Sequence, residues 1–234
     1  MKQLSISIII PTYNEERYLP KALASLTKLE KKPDEVIIVD SASTDATVAI
    51  ARDFGARIIR VPERGIGRAR QTGLARAKGD IVAYTDADTQ VPPSWLTHIL
   101  DGLSQKGVVG VYGGFRVYDG WPAYQWYVNY INFASFPVFS FFSIPFAAGQ
   151  NIAFLRTIGL QAGGFPTKFR SVEDIEIMRR LAVFGKILYL KDNVVSSSGR
   201  RGNEGFAMIP RRVRGLFRYI FLRQADSFTF PDFR

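Results

Sequence analysis

The chain has no cysteine and a single histidine, His98. Without thiols there is no disulfide scaffold, no Cys-ligated zinc, no iron–sulfur cluster and no thiol nucleophile. One histidine rules out a His-rich metal site and a two-histidine metalloprotease. A bound metal must therefore be held mainly by oxygen, which favours Mg2+, Mn2+ or Ca2+. Other scarcities are local. No Asp, Glu, Lys or Arg occurs from Gly120 to Leu155, and Trp121 to Phe146 holds 11 of the 31 aromatic residues. Acids are sparse near the C-terminus, where residues 200–234 carry eight arginines against three acids, half of the net charge of +10. So basic a chain attracts nucleic acid, anionic lipid or phosphorylated small molecules, and the total does not separate them. Apolar material is plentiful: 47% of 234 residues is enough for one large α/β domain with a substantial core.

There is no internal repeat and no low-complexity linker. Leu4–Ile10 is a β-branched run closed by Pro11 and reads as a buried strand; it is too short for a signal-peptide core. Glu15–Leu29 places Leu19, Leu23 and Leu26 at helical spacing. Glu35–Val39 is a second strand, followed by helix-capping residues Ser41 to Asp45 and a helix to about Phe54, which Gly55 stops. Arg57–Val61 predicts a strand, Gly67–Ala77 a helix, and Asp80–Thr85 a strand. Pro92 and Pro93 open a helix through Leu103, and Val108–Val117 is again a strand. This alternation predicts an α/β fold with a Rossmann-like, mostly parallel central sheet flanked by helices. Ligands bind beyond the carboxyl ends of such strands. Pro11–Glu15, Asp40 and Asp86–Gln90 all lie there. The domain boundary falls near residue 199, with 120–148 as an aromatic segment inside the domain and 200–234 as an appended basic segment.

Asp86-Ala87-Asp88 ends an apolar strand. Two acids in that position repel each other, and a cation beside them accounts for the pairing. Gln90 adds a neutral oxygen, and a hard divalent ion with few protein ligands takes the rest from phosphate. The bland reading is one helix-capping Asp and one solvated Asp. The Gly-x-Gly-x-x-Gly turn of dinucleotide-binding folds is absent after the first strand.

Taken together, Pro11-Thr12-Tyr13-Asn14-Glu15, Val39-Asp40-Ser41, Arg70-Gln71-Thr72-Gly73-Leu74, Asp86-Ala87-Asp88, Gly149-Gln150-Asn151-Ile152-Ala153-Phe154 and Val172-Glu173-Asp174 resemble family 2 glycosyltransferases of the GT-A fold, in order and in spacing. The resemblance implies a nucleotide-diphosphate sugar donor and Mn2+ or Mg2+. It implies that Pro11, Tyr13, Glu15, Asp40, Arg70, Asp86 and Asp88 bind the nucleotide: Glu15 faces ribose, Asp40 accepts from the base, and Arg70 faces the diphosphate or lies exposed on its helix. The usual Asp-Asp pair is here Asp40-Ser41. Asp86, Asp88 and Gln90 would hold the metal. Arg116, Gln150, Asn151, Glu173, Arg200 and Arg201 would meet the acceptor or phosphates.

Two subfamily signals differ. Asp86-Ala87-Asp88-Thr89-Gln90-Val91-Pro92-Pro93, with Arg116 and Arg200-Arg201, looks like dolichyl-phosphate mannose synthases. Glu173-Asp174-Ile175-Glu176 looks like members that glycosylate a hydroxyl, including cellulose-synthase-like domains. An anionic phosphate acceptor needs no base, whereas a hydroxyl must lose a proton, so Asp174 tilts the expectation toward a hydroxyl. The Gln-x-x-Arg-Trp signature of processive synthases is missing, which favours single addition; inversion is what the family resemblance implies.

The uncharged span 120–155 is long enough for a membrane crossing. Pro122, Pro137, Pro145, Gln125, Asn129 and Asn132 argue instead for an interfacial segment, a packed core or an oligomer contact. Arg211, Arg212, Arg214, Arg218 and Arg223 alternate with Val213, Leu216, Phe217 and Ile220, the pattern of an amphipathic C-terminal helix on anionic lipid. No recognised DNA or RNA module accompanies the charge, so nucleic acid is not an expected partner. The expectation is a membrane-associated enzyme with its catalytic domain on the cytoplasmic face, using mannose from GDP-mannose and a polyprenyl-linked acceptor. A lipid-phosphate acceptor and a non-catalytic nucleotide-sugar or membrane-binding module are the rivals. Whether transmembrane helices follow Arg234 is left open.

Overall fold

A computed structural model describes residues 4–141, 147–167, 172–200 and 202. Eight strands form one sheet: β1 (Ile6–Thr12), β2 (Glu35–Asp40), β3 (Arg57–Arg60), β4 (Ile81–Tyr84), β5 (Thr89–Gln90), β6 (Val108–Val117), β7 (Ile152–Leu155) and β8 (Lys186–Ser197). Their spatial order is β3-β2-β1-β4-β7-β6-β8-β5. β1 pairs in parallel with β2 and β4, β2 with β3, and β6 with β8. β7 runs antiparallel to both of its neighbours, β4 and β6, and β5 runs antiparallel to β8. The mostly parallel sheet is thus present, with two reversed strands.

The side-chain alternation of β1 divides the core. Ile6, Ile8 and Ile10 face α1 (Leu19–Thr27) and α4 (Trp95–Leu103), where Leu19, Leu23, Trp95 and Ile99 are buried. Ile9 faces the other side, with Ala69 and Leu74 of α3 (Ile66–Arg76) and Ile177 and Met178 of α8 (Glu173–Leu181). A strand covered on both faces needs near-continuous apolar residues, and all seven residues of β1 are buried. Gly73 lies against Ile9 so closely that a Cβ would overlap it, which brings α3 down onto the sheet. α2 (Thr47–Asp53) closes the β2–β3 crossover and α7 (Arg156–Gln161) follows β7.

Helix α1 begins at Leu19 rather than near Glu15. The amides of Tyr18 and Leu19 both bond the Glu15 carbonyl in a turn, and Pro20 occupies the first helical turn. The aromatic segment is helical: α5 (Pro122–Trp126), a π-helical stretch Tyr127–Asn132 and α6 (Phe133–Phe141). Tyr124, Val128 and Phe136 are buried on its inner side. Asn129 brackets the end of β6, accepting from the Val117 amide at 2.8 Å and donating to its carbonyl at 3.0 Å. Among the described residues no helix is long and apolar enough to cross a membrane. The anticipated C-terminal amphipathic helix and Arg201 lie outside the described residues.

Candidate active site

β1, β2, β4 and β8 end at one edge of the sheet, and reversed β7 begins there. This topology brings together Pro11–Glu15, Asp40–Thr44, Asp86–Asp88, Ser197–Arg200 and Gly149–Asn151. Carboxyl ends of parallel strands are the expected place for a ligand.

The β1 and β2 loops are laced together. Asn14, in the left-handed region at φ 50, accepts from the Thr44 amide at 2.9 Å and donates its own amide to Ser43 Oγ at 2.8 Å. The Glu15 amide donates to Thr47 Oγ1 at 2.7 Å. Asp40 is buried, and its carboxylate accepts from the Ser43 amide at 3.1 Å and from Thr12 Oγ1 at 3.3 Å. Pro11 is buried within β1, opposite Val39. Tyr13, half-buried, carries the Arg64 guanidinium 3.8 Å above its ring. Arg64 was not anticipated; it comes from the loop before α3, with no sequence pattern linking it to Tyr13.

Each acid of Asp86-Ala87-Asp88 meets its own arginine. Arg70, almost fully buried on α3, pairs with Asp86 at 2.9 Å and with Glu173. Arg200, just after β8, forms a bidentate pair with Glu15 at 2.7 and 2.9 Å and reaches Asp88 at 2.9 Å. Its guanidinium also lies 4.5 Å from the Tyr18 ring centroid. Asp88 further accepts from Ser197 Oγ at 3.3 Å and Thr89 Oγ1 at 3.4 Å. Burial alone would favour neutral guanidines, but the surrounding carboxylates hold both arginines firmly protonated. Burial and the charge of Asp174 push Glu173 up to about 7, with Arg70 pulling the other way. These contacts bear on two expectations: Arg70 is buried rather than exposed on its helix, its guanidinium bonded to Asp86 and Glu173, and Glu173 is a buried partner of Arg70.

Asp174 sits in the first turn of α8, where the helix dipole favours an acid. Its Oδ2 accepts from the Gly149 amide at 2.8 Å and its Oδ1 from the Ile175 amide at 2.9 Å. The preceding Val172 lies in the left-handed region at φ 58, an uncommon conformation for a β-branched residue and a mark of strain at the entry to this turn. Gln150 accepts from Ser197 Oγ at 3.5 Å, and its buried Nε2 has no hydrogen-bond partner among the described residues. Asn151, expected to face the acceptor, is instead a cross-link: it accepts from Trp95 Nε1 at 2.9 Å and donates to the carbonyls of Gly114 and Asn193 at 2.9 and 2.7 Å. Both hydrogens of its amide nitrogen and one lone pair of its oxygen are engaged, and the residue is buried. Gln90 is half-buried on β5, opposite Ser196. Arg116 is exposed near the end of β6, 4.8 Å from the Phe133 ring centroid.

The donor set fits an oxygen-bound divalent cation. Glu15, Asp86, Asp88, Glu173 and Asp174 face two guanidinium groups, a surplus of at least two negative charges even with Glu173 protonated. Among the described residues no three His, Asp or Glu side chains form a complete cage. A divalent ion at Asp86 and Asp88 would therefore need further oxygens from a bound ligand.

The sequence model of "Glycosyl transferase family 2" matches residues 7–161. The chain belongs to glycosyl transferase family 2. It is 34% identical over 111 residues to the glycosyltransferase AglE of Haloferax volcanii, covering 44% of this chain and 36% of that protein. It is 29% identical over 133 residues to a dolichol-phosphate mannosyltransferase of Pyrococcus furiosus, covering 52% and 37%. The chain spans less than half the length of these two family members. Among solved structures, the mannosyltransferase PcManGT from Pyrobaculum calidifontis, in complex with GDP-Man and Mn2+, has TM-score 0.76 and 24% identity over 98% of this chain and 66% of that one. TarS 1–349 of S. aureus has TM-score 0.65 and 20% identity over 90% and 64%. These structural likenesses establish the GT-A fold.

Proposed function

We propose that this family 2 glycosyltransferase is a metal-dependent, inverting enzyme that moves one sugar, mannose from GDP-mannose, onto a hydroxyl of a polyprenyl-linked glycan at a membrane surface. The observation that carries it is the juxtaposition of Asp86-Ala87-Asp88 with Asp174 across the buried Arg70 and Glu173. Asp86, Asp88 and Gln90 would hold Mn2+ or Mg2+, which when bound offsets the charge growing on the leaving diphosphate. Asp40 accepts from the base, Tyr13 with Pro11 lines the nucleoside pocket, and Glu15 faces the ribose. Asp174 takes the acceptor proton as the hydroxyl attacks the anomeric carbon in line with the departing diphosphate. Its Oδ2 is oriented by the Gly149 amide and its Oδ1 by the first turn of α8. Gln150, Arg116, Arg200 and Arg201 remain the residues proposed to meet acceptor or phosphates, and the unpartnered Nε2 of Gln150 supports its share.

The donor assignment draws on two similar mannosyltransferases, one of them solved with GDP-Man and Mn2+. The membrane assignment rests on an outward aromatic face over residues 121–141: Trp121, Trp126, Tyr130, Ile131, Val138 and Phe141, the last 83% exposed. Aromatic rings with no neighbouring charge suit the headgroup boundary, and the arginines of 211–223 suit anionic lipid. We place the catalytic face toward the cytoplasm on the same ground. A thermal-shift screen of nucleotide sugars, each with and without Mn2+, tests the donor. GDP-mannose stabilising the protein more than UDP-glucose or UDP-GlcNAc, and only with the metal, is the expected result.

A second reading is favoured by Arg116, exposed beside Phe133 at the β6 end: the acceptor is a polyprenyl phosphate. Supplying bare polyprenyl phosphate and GDP-mannose separates the two. A lipid-linked monosaccharide selects the phosphate acceptor, and transfer only to a lipid-linked glycan selects the hydroxyl. Absence of both transfer and donor hydrolysis returns the protein to a binding module.

A further inference from the structure

Three segments meet at the Arg70 guanidinium. Asp86 comes from the end of β4, Glu173 opens α8, and Gly149 precedes β7. The guanidinium bonds both carboxylates at once. The Gly149 backbone lies so close against it that a Cβ there would overlap the guanidinium atoms, and the same glycine's amide holds Asp174 Oδ2. The arginine itself is anchored, because Tyr84 Oη donates to its carbonyl at 3.2 Å. Gly67, one turn earlier, lets α3 approach Pro166 and the Glu173 stem, where a Cβ would meet the Pro166 carbonyl oxygen at 2.7 Å.

Given the cation site and base proposed above, we propose that Arg70 is a positioning residue. It is a bracket that sets the separation between the cation-holding carboxylate Asp86 and the α8 turn carrying Asp174, with Gly149 as the surface it is pressed against. It acts through these carboxylates and does not touch the donor. A guanidinium suits this task because its N–H groups diverge in a fixed plane and serve two acids from two elements together. A lysine is a point charge on a flexible stem and cannot reproduce that geometry.

The experiment measures GDP and UDP binding by calorimetry, in Mn2+ and in EDTA, for wild type, R70K and G149A. Binding of Mn2+ alone is followed by its electron paramagnetic resonance, and hydrogen exchange is followed in α8. Metal-free nucleotide affinity is expected to stay within about twofold of wild type, while the gain conferred by Mn2+ falls about tenfold or more, as it does when a partner that orients a metal ligand is lost. Mn2+ alone binds more weakly in step, and amides in the first turn of α8 exchange faster. A variant that merely loosened the fold would weaken both nucleotide measurements equally. R70K weakening GDP in EDTA as much as in Mn2+ would make Arg70 a phosphate ligand and overturn the bracket. Wild-type Mn2+ binding in both variants also overturns it. If R70K does not fold, G149A decides alone, since it keeps the arginine and its charge while its Cβ overlaps the guanidinium. The wild-type arm reports separately on the site: nucleotide affinity indifferent to Mn2+ there removes the cation site, and the bracket's purpose with it, whatever the variants do.

Discussion

Asp86 and Asp88 stand two residues apart, and each is paired with an arginine, but the two arginines come from different kinds of place. Arg70 projects from the middle of α3, its second partner Glu173 is also buried, and its side chain is 3% exposed. Arg200 lies three residues past the end of β8, its second partner Glu15 lies in the β1 loop, and its side chain is 10% exposed. Arg70 joins elements of the framework. Arg200 joins a strand end to a loop, next to residues outside the described structure. The difference suggests a division of labour: one acid of the motif is fixed by the fold, and the other is held by a cation that a ligand can replace.

Asp174, on the Arg70 side, carries the largest expected effect. Asp174→Asn keeps the size and the hydrogen bond from Gly149 but cannot take a proton. Turnover with the true acceptor should fall about 10²–10⁴-fold, with Mn2+-dependent nucleotide binding retained. Unchanged turnover would remove Asp174 as base and leave the phosphate-acceptor reading standing.

Arg70→Met and Arg200→Met then test the two arginines against each other. Removing one partner of a buried pair leaves an uncompensated charge and costs about 3–5 kcal/mol. Arg70→Met strands both Asp86 and Glu173, so a loss of that size is expected, roughly 6–20 °C in Tm for a chain of this length. Arg200→Met should cost less, about 1–2 kcal/mol, because the Arg200 side chain is itself more exposed, 10% against 3%, and its removal lets water reach the buried Glu15 and Asp88. Equal melting temperatures for the two variants would erase the distinction. The second contrast is in metal binding. Releasing Asp88 from a guanidinium removes a competing cation, so Arg200→Met should bind Mn2+ alone about fivefold more tightly or better, whereas Asp88→Ala should abolish Mn2+-dependent GDP binding. Weaker Mn2+ binding in Arg200→Met would show that Arg200 supports the cation site instead of competing for it.

The same contrast explains what could be read from the chain alone. β1, β2 and β4 and the acids that end them are local features: a β-branched run, a breaker, then a carboxylate. Periodicity finds them, and the parallel sheet follows. The Asp86-Ala87-Asp88 strand end is legible for the same reason, whereas Asp174 comes only from the family resemblance of the Glu173-Asp174 pair. Partnerships are not legible in this way. Glu173 is 103 residues from Arg70, and Glu15 is 185 from Arg200. No spacing rule spans such gaps, so Arg70 was expected to face phosphate and Glu173 an acceptor. Asn151 misled for a related reason, since a polar residue beside a motif looks the same whether it serves a ligand or, as here, Trp95 and two backbone carbonyls. Residue type announces neither the π-helical stretch at Tyr127–Asn132 nor the left-handed Val172.

Glu35 and Arg57 supply the exposed counterpart to both buried clusters and the smallest expected effect. The pair is 3.3 Å apart, and the Arg57 side chain is 40% exposed. Partial burial would raise the Glu35 carboxyl, but hydrogen bonds from Ser7 Oγ at 2.6 Å and the Lys78 amide at 2.5 Å, together with Arg57, hold it below its ordinary value of 4.5. A carboxyl lowered in the folded state stabilises the protein above its unfolded pKa, and that contribution is lost as the pH falls through the folded value. Glu35→Gln should therefore be less stable than wild type by no more than about 1 kcal/mol at pH 7, after allowance for solvent screening. The gap should hold down to about pH 5 and then close as both proteins carry a neutral side chain. Urea unfolding followed in steps from pH 7 downward checks this. A gap that does not close at any pH below the ordinary carboxylate range would mean that Glu35 contributes by shape and hydrogen bonding and not by charge. Glu35 would then be a poor reference for judging how much the charges of Arg70 and Arg200 contribute.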